Sequence, residues 1–285
     1  MADREVPSGG ESHSGKGDRV FAPAGATVRA WRPDVPGLVE VFHARFTHHA
    51  YPAHTHTAWT LLIVDDGAIR FDLDRHHHGA AGSAVTLLPP HVPHDGRAAT
   101  PAGFGKRVLY LDPDVLGEEL IGAAVDHPTF ADRQLRLRVH QLHRALERPG
   151  DALEAESRLT LIGARIATLL RSGRTAADPP RPPSGLAGRL RDLLDAHVTD
   201  GVTLRAAAAQ LHAHPTHLVR SFTTAFGLPP HRYLTGRRVE LARRLLLAGQ
   251  RPAEVATAAG FYDQAHLTRQ FSRYLGVSPG HYARA

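Results

Sequence analysis

The chain has 285 residues, 42% of them apolar and 22% charged, a length that favours two domains and a composition able to bury real cores. It contains no cysteine, which removes disulfides, thiolate metal sites, iron–sulfur centres and a cysteine nucleophile together and leaves histidine and carboxylates as metal ligands. The net charge of +6 is uneven: residues 186–285 hold thirteen arginines against six acids while the remainder is near neutral, so the last hundred residues suit a polyanion, nucleic acid before membrane.

Residues 1–19 are Gly, Ser and charge and are expected to form a disordered leader. They lack the apolar core of a signal peptide, and no apolar run approaches bilayer length, so a cytoplasmic location without membrane contact is expected. From about residue 20 to 112 the chain reads as short extended runs. Val39 to His43, Trp59 to Val64, Ala68 to Leu73, Ala84 to Leu88 and Arg107 to Leu111 are β-branched, aromatic and alternating, with Asp65-Asp66-Gly67, His78-Gly79 and Pro89-Pro90 as punctuation. Strands at this spacing predict a small sandwich or barrel.

Over residues 113–171 the period changes. Leu135, Val139, Leu142 and Leu146, then Leu159, Ile162, Ile166, Leu169 and Leu170, recur at helical spacing on either side of Pro149-Gly150. Such an antiparallel pair either caps the barrel core or supplies a dimer seam and relay. Residues 172–185 carry four prolines in the five positions from Pro179 to Pro183 and read as an interdomain linker.

The final hundred residues repeat one local grammar. Thr203 to Leu211, a tight turn, and Pro215 to Gly227 form the first copy; Pro252 to Ala258, a tight turn, and Asp263 to Gly276 form the second. Each is a short alanine-rich helix followed by a longer one that ends in Gly. Leu218, Phe222 and Phe226 match Leu267, Phe271 and Leu275 as buried stripes. The opposite faces carry Thr216, His217, Arg220, Ser221 and Thr224, and Gln264, His266, Thr268, Arg269, Gln270 and Arg273. Small residues on the short helices permit the steep crossing of a helix-turn-helix. Between the copies, Arg237 to Ala248 reads as a connecting amphipathic helix. Extended by flanking residues to about eighteen, such a helix spans roughly 27 Å, the right order for placing two helices in major grooves roughly 34 Å apart.

This block resembles the AraC/XylS family of transcription regulators. The resemblance is carried by Gly227-Leu228-Pro229-Pro230 with Tyr233 and Arg237-Arg238, by Val255-Ala256 with Ala259-Gly260-Phe261, and by Phe271 to Pro279 with Tyr282. It implies double-stranded DNA as partner, with Thr216, His217, Arg220, Ser221, Gln264, His266, Arg269, Gln270 and Arg273 as contacts. Arginine can fork onto guanine and glutamine onto adenine, which makes Arg220, Arg269, Gln264 and Gln270 the leading candidates for base edges. Arg237, Arg238, Arg243, Arg244 and Arg273 are assigned to phosphates or acidic partners.

Ten of the 21 histidines lie between His43 and His94. His54-Thr-His56 after Pro52, and His94 one hairpin later, resemble the mouth of the cupin barrel that many such regulators carry as a sensor. The fold class expected is therefore two-domain α+β: an N-terminal cupin-like β-barrel with a helical pair and a C-terminal all-α double helix-turn-helix over residues 186–285. Effector contacts are expected from Tyr51, His54, His56, Trp59 and His94. The glutamate of metal-binding cupins is missing, Thr60 and Leu61 standing in its place, so no cofactor and no metal is assigned, although three imidazoles could still hold a divalent ion. Asp95 is a candidate orienter for one imidazole.

The expected function is a sequence-specific regulator responding to a small-molecule effector. It is expected to be a homodimer and not an enzyme, with RNA polymerase as a partner if it activates. Two alternatives stand beside it: a metal-dependent cupin enzyme with an attached nucleic-acid module, and a constitutive DNA-binding dimer without effector.

Overall fold

The computed structural model describes residues 26–147, 152–172 and 185–284. The expected leader and nearly all of the proline-rich linker lie outside the described residues.

The N-terminal part is built from antiparallel strands β1 (Thr27–Trp31), β2 (Leu38–Phe46), β3 (Ala50–His54), β4 (Trp59–Leu73), β5 (His76–Ala81), β6 (Val85–Leu88), β7 (His94–Ala98), β8 (Phe104–Leu111) and β9 (Thr129–Phe130). One path runs β1-β2-β8-β4-β6-β9, and the second half of β4 pairs with β5 and β7, β7 in turn with β3. The Asp65-Asp66-Gly67 run, expected to separate two strands, instead bends a single one. The register of β4 against β8 shifts between Val64 and Asp66, and Gly67 takes φ +69 against the Gly103 carbonyl, where a Cβ would collide. Such a bulge lets one strand serve two sheets. The actual turn after β4 uses Asp74 and Arg75, both at positive φ, and His76 to His78 already belong to β5 rather than to a loop.

Strand alternation gives the sheet two apolar faces. One face carries Phe42, Leu62, Val64, Phe71 and Val108; the other carries Val41, Trp59, Leu61, Ile63, Leu109 and Leu111. The second face is covered by α1 (Ile121–Asp126), α2 (Arg133–Leu146) and α3 (Ala152–Ser172), whose Leu135, Val139, Leu142, Ile162 and Ile166 are fully buried there. The helix pair therefore does cap the barrel.

The C-terminal part is α4 (Leu186–Ala196), α5 (Leu204–Gln210), α6 (Pro215–Phe226), α7 (Pro230–Leu247), α8 (Pro252–Ala258), α9 (Gln264–Leu275) and α10 (Pro279–Tyr282). Pro215 opens α6, the Asp263 carboxylate accepts from the His266 amide at 2.6 Å to cap α9, and Gly227 and Gly276 close both long helices in the left-handed conformation. The two repeats differ in what they pack against. The first has its own core with α4, formed by Leu190, Leu194, Leu218, Phe222, Phe226 and Tyr233. The second shares a core with the first face of the barrel: Val239, Ala242, Leu246, Phe271, Tyr274, Leu275 and Tyr282 cluster with Phe42, Phe46 and Leu62.

Polar contacts pin the same junction. Arg243 of α7, 3% exposed, lies 2.6 Å from Glu40 of β2 and stacks 4.2 Å over the Tyr110 ring, and the Tyr282 hydroxyl also donates to Glu40. Glu240, one turn earlier, accepts from the Thr57 amide at 2.9 Å and from the Thr57 hydroxyl.

Candidate functional site

A small cavity opens under the first face of the barrel, with a volume of about 50 Å³. Tyr51, His54, His56 and His94 line it, together with Thr60, Leu62, Ile69, Phe71, Lys106, Tyr110 and, from the helical domain, Leu275. Trp59, placed by sequence among the effector contacts, is absent from this lining: it is fully buried on the other face, under the helix pair. The reason is strand parity. Thr60 and Leu62 point into the cavity, so Trp59 and Leu61 point away.

The three histidines converge, one ring nitrogen from each lying within 4.8 Å of the others. The His54 Nδ1 lies 2.6 Å from the Pro52 carbonyl and the His94 Nδ1 3.0 Å from that of Val92, so each Nδ1 is the donor and each Nε2 is left as a bare lone pair. His54 Nε2 then accepts from His56 Nε2 at 3.2 Å. Burial holds His54 and His56 well below the usual imidazole range, with neighbouring histidine charge adding to it, and brings His94 down to about 4. The rings are neutral near pH 7. These three are the residues that would hold a divalent ion: backbone carbonyls orient two of the rings through Nδ1, as they orient metal-ligating imidazoles, but no carboxylate completes the set. The lining carboxylate, Asp95, accepts from the Asp72 amide at 2.9 Å and faces Arg97 at 3.7 Å, so it orients neither imidazole nor ion. Lys106 adds a cation to the same cavity.

Sequence reasoning missed Lys106, Thr60 and Leu275. The alternation of β8, with Lys106, Val108 and Tyr110 on one parity, was the available signal for Lys106. Nothing local marks Leu275 as a cavity residue, since it reaches the barrel only through the docking of α9.

The second cluster is the polar side of the two long helices. On α6, Thr216, His217 and Arg220 are exposed and Ser221 is half-buried; on α9, Gln264, Arg269 and Arg273 are exposed and His266 and Gln270 half-buried. The His266 ring is partly engaged in the preceding turn, taking the Tyr262 amide at 3.5 Å and meeting Phe261 edge-on at 5.4 Å. Tyr262, 93% exposed just ahead of α9, is an unlooked-for aromatic beside this face. Of the arginines assigned to phosphates or acids, Arg237 binds Asp195 at 2.8 Å and also Glu240, Arg238 donates to the Val198 carbonyl at 2.7 Å, and Arg243 is internal. Arg244 and Arg273 stay at the surface.

A small-molecule barrel joined to paired helix-turn-helix units defines a ligand-binding transcription regulator. The AraC-like ligand binding domain matches residues 36–162, which includes α2 and the first half of α3, and a helix-turn-helix domain matches residues 207–285. The chain belongs to the AraC family. It is 25% identical over 277 residues to the HTH-type transcriptional activator RhaS of Salmonella typhimurium strain LT2, spanning 91% of this chain and 93% of that one. It is 23% identical over 239 residues to the HTH-type transcriptional regulator YbfI of Bacillus subtilis strain 168, spanning 80% and 86%. Among solved structures, ToxT from Vibrio cholerae O395 superposes with a TM-score of 0.57 at 10% identity over 91% of this chain and 97% of that one. The apo form of a ToxT variant from strain SCE256 reaches 0.61 at 11% identity over the same shares. At these identities the structures establish the shared two-domain fold. No described helix is long and apolar enough to cross a membrane.

Proposed function

We propose that the chain is a one-component regulator acting in the cytoplasm without catalysis of its own: the barrel cavity takes a small-molecule effector and the polar faces of α6 and α9 read duplex DNA. Arg220, Arg269, Gln264 and Gln270 address base edges, with Thr216, His217, Ser221, His266 and Arg273 beside them on bases or phosphates. The carrying observation is the double role of α9. Its polar side chains face solvent, while at its C-terminal end Leu275 lines the cavity and Tyr274 meets the His54 ring at 5.8 Å.

An effector changes DNA binding only by preferring one arrangement of the molecule over another. A ligand larger than the cavity must displace Leu275 and with it α9, which supplies that preference. ToxT from Vibrio cholerae strain SCE256 has been solved with an unsaturated fatty acid bound, so a protein of this fold takes a small molecule. Activation, with RNA polymerase as a further partner, is the sign favoured by the likeness to an activator. A homodimer is supported by the outer side of the helix pair, where the apolar Leu137 and Leu161 are 55% and 53% exposed.

The test is selection of DNA by the full chain, followed by binding measured with and without a metabolite extract. The paired substitution His54→Ala and His94→Ala is expected to abolish the response to extract and leave DNA affinity intact. An unchanged response places the pocket elsewhere.

A further inference from the structure

Lys106 is the one lysine or arginine in the cavity lining. Its ammonium sits 4.1 Å above the Tyr51 ring and 5.7 Å from that of Phe42, and no carboxylate among the described residues pairs with it. Burial, with Arg243 nearby, brings it down to about 7. Two further donors in the lining are stranded: the Tyr51 hydroxyl and the Thr60 hydroxyl are buried with no hydrogen-bond partner among the described residues. Stranded buried donors cost stability unless something accepts from them. Asp95, the acidic group in the lining, is already engaged by the Asp72 amide and Arg97. The cavity thus offers a cation and two hydroxyls to an acceptor, and an apolar wall of Leu62, Ile69, Phe71, Leu88 and Leu275 to the rest of the ligand.

We propose that this is a carboxylate site anchored by Lys106, and that the effector is a short monocarboxylate. The inference rests on the regulator reading and narrows it. A carboxylate accepts from the Lys106 ammonium and from the Tyr51 and Thr60 hydroxyls, which meets three needs with one group. The bare Nε2 of His94 faces the same space and favours a neighbouring hydroxyl on the ligand over a second acidic group. Size sets the length. A cavity of about 50 Å³ has room for no more than a few waters, so the head group and a short chain fit beneath Leu275, and each added carbon presses on that side chain and on α9.

Thermal unfolding and calorimetric titration of the full chain with sodium acetate, propionate, butyrate and lactate, against sodium chloride at equal ionic strength and against the matching amides, test the proposal. The carboxylates are expected to stabilise the protein and the amides to do nothing. Lys106→Met keeps the length of the side chain, removes an unpaired buried charge and is expected to fold, as unchanged DNA affinity will show. Its carboxylate affinity is expected to fall about tenfold or more, and that of Tyr51→Phe several-fold, the weight of hydrogen bonds to a charged group. Amides binding as well as carboxylates, full affinity in Lys106→Met, or stabilisation by Zn²⁺ or Ni²⁺ with none by any carboxylate would each overturn it. Should carboxylates fail while DNA binding still responds to metabolite extract, the carboxylate site falls and the regulator stands.

Discussion

At the scale of single residues, neutral buried imidazoles set how the protein meets acid. In the unfolded chain the His94 ring takes its proton near 6.5; in the folded protein it does so only near 4, because burial disfavours the charge. Between those values the unfolded state binds more protons, so stability is lost as pH falls through the window. For His94 alone the difference amounts to about 3 kcal/mol, and His54 and His56 act in the same direction. Thermal unfolding between about pH 6.5 and 4 is expected to show a falling Tm, and a smaller fall in His94→Gln; a Tm that rises on acidification contradicts the neutral assignment. The converging histidines were legible in the sequence because His54-Thr-His56 and the later His94 are a pattern of residue types at short range. Lys106 was not, because an isolated lysine in an alternating strand announces nothing until the partner strands show which parity faces inward.

At the scale of elements, most helices and strands follow local chemistry, and the failures have local causes. The periods of α2, α3, α6 and α9 and the Gly and Asp caps of α6 and α9 appear in the sequence because one buried stripe specifies a helix and one capping residue its end. The continuity of β4 does not, since Asp65-Asp66-Gly67 has turn composition and becomes a bulge only through its pairing with β8. The short β1, β3 and β7 are likewise made by their neighbours, β3 running through Pro52 and β7 through Gly96. On the outer side of α2 and α3, the exposed Leu137 and Leu161 invite a second copy. Light scattering of the full chain is expected to report a dimer that Leu137→Glu with Leu161→Glu converts to monomer, with little loss of Tm because both side chains point away from the core. A dimer untouched by the double change rules this face out.

At the scale of the whole molecule, the boundary between sensing and reading is not where the chain divides. The second helix-turn-helix shares its apolar core with the barrel, and the Arg243–Glu40 pair with Tyr282 and Tyr110 closes that junction in a nearly dry setting. Breaking such a pair by removing one partner costs about 3–5 kcal/mol, since the other charge is left stranded. The first helix-turn-helix, with its separate core, reaches the barrel side mainly through α7. A cavity event at Leu275 therefore acts on α9 directly and on α6 through one 18-residue helix. None of this could be read from one linear sequence, because Glu40 and Arg243 are 203 positions apart.

Held by α7, α6 and α9 are proposed to enter successive major grooves on one face of the double helix. Hydroxyl-radical footprinting of the full chain on its selected DNA reads that placement. Two protected segments on the same face, with centres about 10 base pairs apart, are predicted. One protected segment, or two on opposite faces, would contradict it.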